Sequence, residues 1–134
     1  MLVVDASCLF EVVVGTRRAE VIRGHIDDHV EAAAPHVIDV EVLDAIRRDH
    51  RLGEIDSTTA HQAVDDLCSW AGERYPHQPL IGRAWELRDN VRGWDAFYVA
   101  LAEVLDVPLL TVDNRLARAT GPRCRFIVVP RELI

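Results

Sequence analysis

Two kinds of apolar run alternate along the chain. Some are short and nearly continuous, and in others apolar residues return every three or four positions. The first kind marks strands buried on both faces of a parallel sheet, the second amphipathic helices packed over it. Leu2-Val3-Val4 predicts a central strand ending at Asp5, from which Ala6-Ser7-Cys8 turns away. Ala19, Ile22, Ile26 and Val30 predict a helix over 17–30. Ala33 to Val37 reads as the approach to a second helix. Pro35 sits near its start, Glu41 in its first turns, and Val40, Leu43 and Ile46 form its inward stripe. Gly53 ends that unit, and Ser57 or Thr58 caps a third helix burying Val64, Leu67, Cys68 and Ala71. Pro76 and Pro79 mark a loop. A further helix over 80–91 carries Ala84, Trp85 and Leu87 and is closed by Gly93. The broadest apolar face, Trp94, Phe97, Tyr98, Leu101, Ala102 and Leu105, predicts a buried helix with Asp95 in its first turn, where the macrodipole favours negative charge. Pro108 to Val112 predicts a second central strand ending on Asp113. A short helix over 115–119 and a last strand over 126–129 follow. This alternation specifies the α/β class, with a short parallel sheet under helices.

A chain of 134 residues suits one domain, 1–134, with a core of its own. Met1 to Val14 is apolar enough to suggest a signal peptide, but it lacks a basic start and carries Asp5 and Glu11, so it reads as a strand and a helix start. No stretch reaches roughly 18 uninterrupted apolar residues, so a spanning helix is excluded and a cytoplasmic location is expected. Cys8, Cys68 and Cys124 are odd in number and lack C-x-x-C spacing, which argues for reduced thiols rather than a disulfide or zinc framework. A net charge of −7 opposes non-specific coating of nucleic acid, which depends on counterion release by basic surfaces. It leaves room for an enzyme acting on RNA and for a basic protein partner.

Asp5, Glu41, Asp95 and Asp113 each fall where an apolar strand ends or a helix begins. In open parallel sheets the functional crevice lies beyond the carboxyl ends of the strands, so acids distant in sequence meet there. Carboxylates gathered in one crevice repel unless a cation sits among them, and the pattern therefore points to a metal-dependent active site. The other acids have plainer readings. Asp44 is a solvated or salt-bridged helix acid, Asp39 a first-turn charge and Glu103, about two turns beyond Asp95, a surface acid. His25 and His29 have chelating spacing but no third ligand in view. Trp85, Trp94, Phe97 and Tyr98 are expected to pack in the core rather than stack on bases.

Val3-Val4-Asp5-Ala6-Ser7, Val40-Glu41-Val42-Leu43, Trp94-Asp95-Ala96-Phe97-Tyr98-Val99-Ala100-Leu101-Ala102 and Leu110-Thr111-Val112-Asp113-Asn114-Arg115-Leu116 follow one another in order, with Ala84-Trp85-Glu86-Leu87-Arg88 between the second and third. Together these motifs resemble the PIN-domain ribonucleases, most closely the toxin subunits of VapBC toxin-antitoxin modules, and the resemblance covers nearly the whole chain. It implies a PIN-like three-layer α/β/α fold around a short central parallel sheet and a metal-dependent endoribonuclease using Mg2+ or Mn2+. Asp5 and Asp95 would touch the metal directly, and Glu41 and Asp113 would complete the cluster partly through water. The resemblance also implies a cognate antitoxin whose C-terminal segment wraps the toxin and offers a basic side chain to the acidic pocket, and a homodimer. Some relatives carry a further acid after the fourth. Here Asn114, Arg115, Leu116 and Ala117 follow, which implies a weak or water-filled second metal position.

Phosphodiester hydrolysis needs a nucleophilic water and a way to spread negative charge, both within the reach of a hard divalent cation on oxygen ligands. Ser7 and Thr111 are placed to hydrogen-bond a carboxylate or a metal-bound water. Arg83, Arg88 and Arg92 before Asp95, and Arg115 and Arg118 after Asp113, are candidate contacts to RNA phosphates. Leu52 and Ile55 lie outside the sheet-facing stripes and are available for self-association or antitoxin capture. A phosphoacceptor receiver-type domain would need a late lysine, and the chain has none. A non-catalytic module that keeps the fold and binds metal or RNA is the remaining alternative, and the complete set of four acids argues against it.

Overall fold

Leu2, Val3 and Val4 are fully shielded from solvent, and the strand they form, β1 (Leu2–Val4), is the centre of a five-stranded parallel sheet. The computed structural model describes residues 1–131. β2 (Ala32–Pro35) and β3 (Glu73–Tyr75) extend the sheet on one side of β1, and β4 (Leu109–Thr111) and β5 (Phe126–Val128) extend it on the other. Leu2 lies opposite Ala32, and Val3 opposite both Ala33 and Leu109. Because the chain winds outward on one side and then returns to the other, its topological switch point lies between β1 and β4. In such sheets a crevice opens at that point beyond the strand ends.

Among the described residues, seven α-helices flank the sheet. α1 (Ala6–Val14), α2 (Ala19–Asp27), α3 (Val37–Arg51) and α4 (Ser57–Ser69) pack on one another, with α1 in contact with the other three. α5 (Ile81–Glu86), entered by a 3-10 turn at Gln78–Leu80, packs against α6 (Gly93–Leu105), which lies on β1, β2 and β4. α7 (Asn114–Ala117) leads towards β5. The three-layer α/β/α arrangement agrees with the sequence expectation. No helix among the described residues is long and apolar enough to cross a membrane.

Several local expectations are corrected. β2 is a strand rather than the approach to a helix: its three alanines carry no β-branched signal, and the conformation comes from pairing with β1. β3 carries no sequence signal, because Glu73 and Arg74 give it no apolar pattern, as is common in an edge strand. α2 stops at Asp27, and Val30 is left almost fully exposed. The inward stripe of α3 is Val37, Ile38, Val42 and Ile46, while Val40 and Leu43 face water. Asp56, not Ser57 or Thr58, caps α4 by accepting the Thr59 amide at 2.8 Å, and its buried face is Ala60, Ala63 and Leu67, with Cys68 and Ala71 exposed. The helix expected over 80–91 is interrupted. Trp85 and Trp94 are exposed rather than packed in the core, whereas Tyr98 is 1% exposed.

Candidate active site

Each of the four candidate acids sits where a backbone constraint fixes it. β1 hands over to α1 at Asp5, which is extended and caps the helix. Its Oδ1 accepts the Cys8 amide at 2.9 Å and the Ser7 hydroxyl at 2.7 Å. The carboxyl is almost fully buried, and burial pushes its pKa up, with hydrogen bonds from Thr111, Ser7 and Cys8 pulling the other way. Thr111, fully buried at the end of β4, also accepts the Asp113 amide at 3.0 Å, so one hydroxyl braces both strand ends. Asp113 caps α7, its Oδ1 accepting the amides of Arg115 at 2.8 Å and Leu116 at 3.3 Å.

Asp95 and Glu41 arrive from helices. Asp95 lies half-buried in the first turn of α6, and its pKa is pushed up to about 6, first by burial and then by the charges of Asp5 and Asp113, with Arg92 opposing. Glu41, in the second turn of α3, accepts the Tyr98 hydroxyl at 2.8 Å. Burial raises its pKa, and Asp95 and Asp5 add to the rise against the Tyr98 hydrogen bond. All four acids line one open cleft of about 990 Å³ at the switch point, with Ser7, Tyr98 and Asn90.

The arginines divide. Arg92, Arg115 and Arg118 line the cleft. Arg83 does not: its Nε and Nη2 donate to the two oxygens of Glu103 at 2.7 and 3.1 Å, and Nη2 also to the Gly121 carbonyl at 2.8 Å. Glu103 is therefore a half-buried structural acid rather than a surface one, and it also accepts the Arg123 amide at 2.7 Å. Arg88 lies over the Trp85 ring, 4.2 Å from its centroid. Asp39 is bound by Arg74 at 2.8 Å, and exposed Asp44 lies 3.7 Å from Arg47. The His29 Nδ1–H donates to the His25 carbonyl at 2.8 Å, and among the described residues no third ligand joins the pair. Tyr98 is the group that sequence reasoning assigned only to the core. Its position one turn after Asp95, on the same helix face, is the signal that it reaches the cleft.

The donor set suits a hard divalent cation. Four carboxylates line one cleft, and three of them hold their protons more tightly than free acids do, Asp5 through burial and Glu41 and Asp95 through burial and the charge of neighbouring acids. Among the described residues, no three acidic, imidazole or thiol groups form a ready-made metal cage. Mg2+ characteristically keeps several waters, so few direct protein ligands are no objection to it.

Residues 2–122 match the PIN domain family. The chain is 45% identical over 129 residues to Ribonuclease VapC1 of Mycobacterium tuberculosis (strain CDC 1551 / Oshkosh), covering 95% of this chain and 96% of that protein. It is 34% identical over 131 residues to VapC ribonuclease Mb0985 of Mycobacterium bovis, covering 98% of this chain and 100% of the relative. The fold superposes on a chain from the crystal structure of VapBC2 from Rickettsia felis bound to a promoter DNA fragment, with a TM-score of 0.69 at 9% identity over 96% of this chain and 98% of that one. On the family match and these relatives, the chain belongs to the PIN-domain family, in its VapC group.

Proposed function

We propose that this protein is the endoribonuclease toxin of a type II toxin-antitoxin module, hydrolysing RNA phosphodiester bonds with Mg2+ or Mn2+ held by Asp5, Asp95, Glu41 and Asp113. The observation that carries the reading is the meeting of these four acids in one cleft at the switch point, with the Asp95 carboxyl raised to about 6. A divalent ion bound there would activate a water and offset the charge that develops on the phosphoryl oxygens. Asp5 serves as a fixed ligand because the Ser7 hydroxyl and Cys8 amide lock one of its oxygens. Tyr98 does the same for Glu41. Arg92 and Arg115 hold the phosphates flanking the cleaved bond, and Arg118 extends that basic edge.

The acidic chain, at net charge −7, fits a cognate antitoxin that inserts a basic side chain into the cleft. A homodimer acting in the cytoplasm completes the reading. The test is incubation of purified protein with total cellular RNA and Mg2+ or Mn2+, beside EDTA and Asp95→Asn controls, with new 5′ ends mapped by sequencing. Discrete cuts that need metal and vanish in the variant support the proposal. Identical patterns from wild type and variant, or no cuts with either metal, favour a non-catalytic module that binds metal or RNA and acts through its partner.

A further inference from the structure

Beside the acidic cleft lies a second hollow of about 500 Å³, and the two share Ala6, Ser7, Glu41 and Val112 along a common edge. Trp94, the residue before Asp95, forms one wall with its indole 61% exposed. Trp94 lies one turn before Tyr98 on the same face of α6, at the helix start, where that face passes beyond the core that buries Tyr98. The floor is polar. Glu11, buried, accepts the Thr16 hydroxyl at 2.7 Å and is ion-paired with Arg18, while Nη1 of Arg18 is buried with no hydrogen-bond partner among the described residues. Asp44 and Arg48 stand exposed at the mouth.

We propose that this hollow is a base-recognition subsite, in which Trp94 stacks on an unpaired base next to the phosphate cleaved in the acidic cleft. The inference rests on the endoribonuclease reading. Single-stranded RNA is recognised by splayed bases stacked on aromatic rings and read along their edges by hydrogen bonds. Here Asp44 and Arg48, one turn apart on α3 and exposed at the mouth, offer an acceptor for a base N–H and a donor for a base carbonyl. A base that offers both groups side by side, guanine or uracil, suits this pair, and adenine, which has no carbonyl, does not. An apolar segment of a protein partner would cover Trp94 but leave Asp44 and Arg48 at the mouth without partners, a cost that a base edge avoids.

The test measures binding and cutting separately. Affinity for labelled hexamers of uridylate and of adenylate is read by fluorescence anisotropy in Asp95→Asn protein, alone and combined with Trp94→Ala or Trp94→Phe. Cleavage maps of total RNA are compared for wild type, Trp94→Ala and Trp94→Phe. The expected result is about tenfold weaker uridylate binding with Trp94→Ala, near-parental binding with Trp94→Phe, and weak adenylate binding throughout. In the maps, the base preferred beside the cut should be lost in the alanine variant and kept in the phenylalanine one. Uridylate affinity within twofold of parent in Trp94→Ala, with unchanged cleavage sites, overturns the subsite and leaves the nuclease reading intact. Trp94-dependent binding without cleavage by wild type supports the subsite and removes the nuclease reading.

Discussion

Tyr98 on α6 donates its hydroxyl to Glu41 on α3 at 2.8 Å, across 57 residues of sequence. Burial, and after it the negative charge of Glu41, push the Tyr98 pKa up, so the phenol stays protonated and remains a donor at any working pH. The bond engages one carboxylate oxygen of Glu41, fixes its side chain towards the cleft and opposes the effect of burial on its pKa.

Tyr98→Phe keeps the ring in the core and removes this donor. The Glu41 pKa then rises further, and its carboxylate loses its orientation. Losing a partner that orients a metal ligand typically weakens metal affinity or activity about 10- to 100-fold. The expected outcome is a fall in RNA cleavage of that order, with the acid limb of the pH–rate profile moved to higher pH. Folding stability should fall by only about 1 kcal/mol. An unchanged profile would remove Glu41 from the reacting cluster.

Asp95 gives a prediction whose sign is opposite to that of an ordinary salt-bridged acid. Its pKa is raised from 3.8 to about 6 in the folded protein, so the fold binds this proton more tightly than the unfolded chain does. The stability linked to that proton is fully present below the unfolded value and is lost as pH rises through about 6. Metal-free protein at pH 7 therefore carries an electrostatic penalty, and Asp95→Asn removes it. Discounted for its solvent-facing side, the gain is about 1 kcal/mol, or about 3 to 5 °C in melting temperature. Thermal denaturation in EDTA should show the variant melting higher at pH 7 and equal to wild type near pH 4. Added Mn2+ should raise the wild-type melting temperature and leave the variant's nearly unchanged.

The acids could be read from the sequence for the same reason that Asp95 is costly. Asp5 and Asp113 follow apolar strands, Asp95 stands in the first turn of α6 and Glu41 lies in the second turn of α3. In a parallel sheet strand ends and helix starts converge. β1, β4 and α6 carry continuous or periodic apolar residues, so their ends were visible as well. β2 was not, because Ala32, Ala33 and Ala34 suit a helix as readily as a strand, and only pairing between β1 and β3 decides. Trp85 and Trp94 were misassigned because periodicity shows which residues share a stripe, not where the stripe passes beyond the neighbouring layer. Arg83 reads from the sequence as a phosphate contact, but Glu103, 20 residues on, holds it. Ion pairs of that span leave no local signal.

Arg83 is expected to matter for stability rather than for RNA. Its guanidinium binds both oxygens of Glu103 and the Gly121 carbonyl, joining α5, α6 and the segment before β5. Burial works against ionised Glu103, but Arg83 and the Arg123 amide together hold its pKa below the usual range. Arg83→Met leaves a half-buried carboxylate with the Arg123 amide as its remaining support. The expected cost is about 2 kcal/mol in urea unfolding, below that of a fully buried pair. Arg83→Met/Glu103→Gln should recover part of it. KM for an RNA substrate should stay within twofold in Arg83→Met and rise several-fold in Arg92→Ala, whose side chain lines the cleft.

The start of α3 depends on a residue far along the chain. His36 at its N-cap makes no side-chain capping bond; instead the Val37 amide donates to Nε2 of His77 at 2.9 Å. The His77 ring must therefore be neutral, with its proton on Nδ1, and it packs 5.4 Å from the Phe97 ring on α6. His77 thus links the helix that carries Glu41 to the helix that carries Asp95. His77→Ala leaves the first amide of α3 without its acceptor, which costs about 1 kcal/mol by analogy with the loss of a helix cap. His77→Gln keeps an acceptor at similar reach. Measured by thermal denaturation, a smaller loss in the glutamine variant than in the alanine one assigns the effect to the hydrogen bond. Equal losses would assign it to ring packing on Phe97, and α3 would then owe its start to β2 and the core beneath Val37 and Ile38.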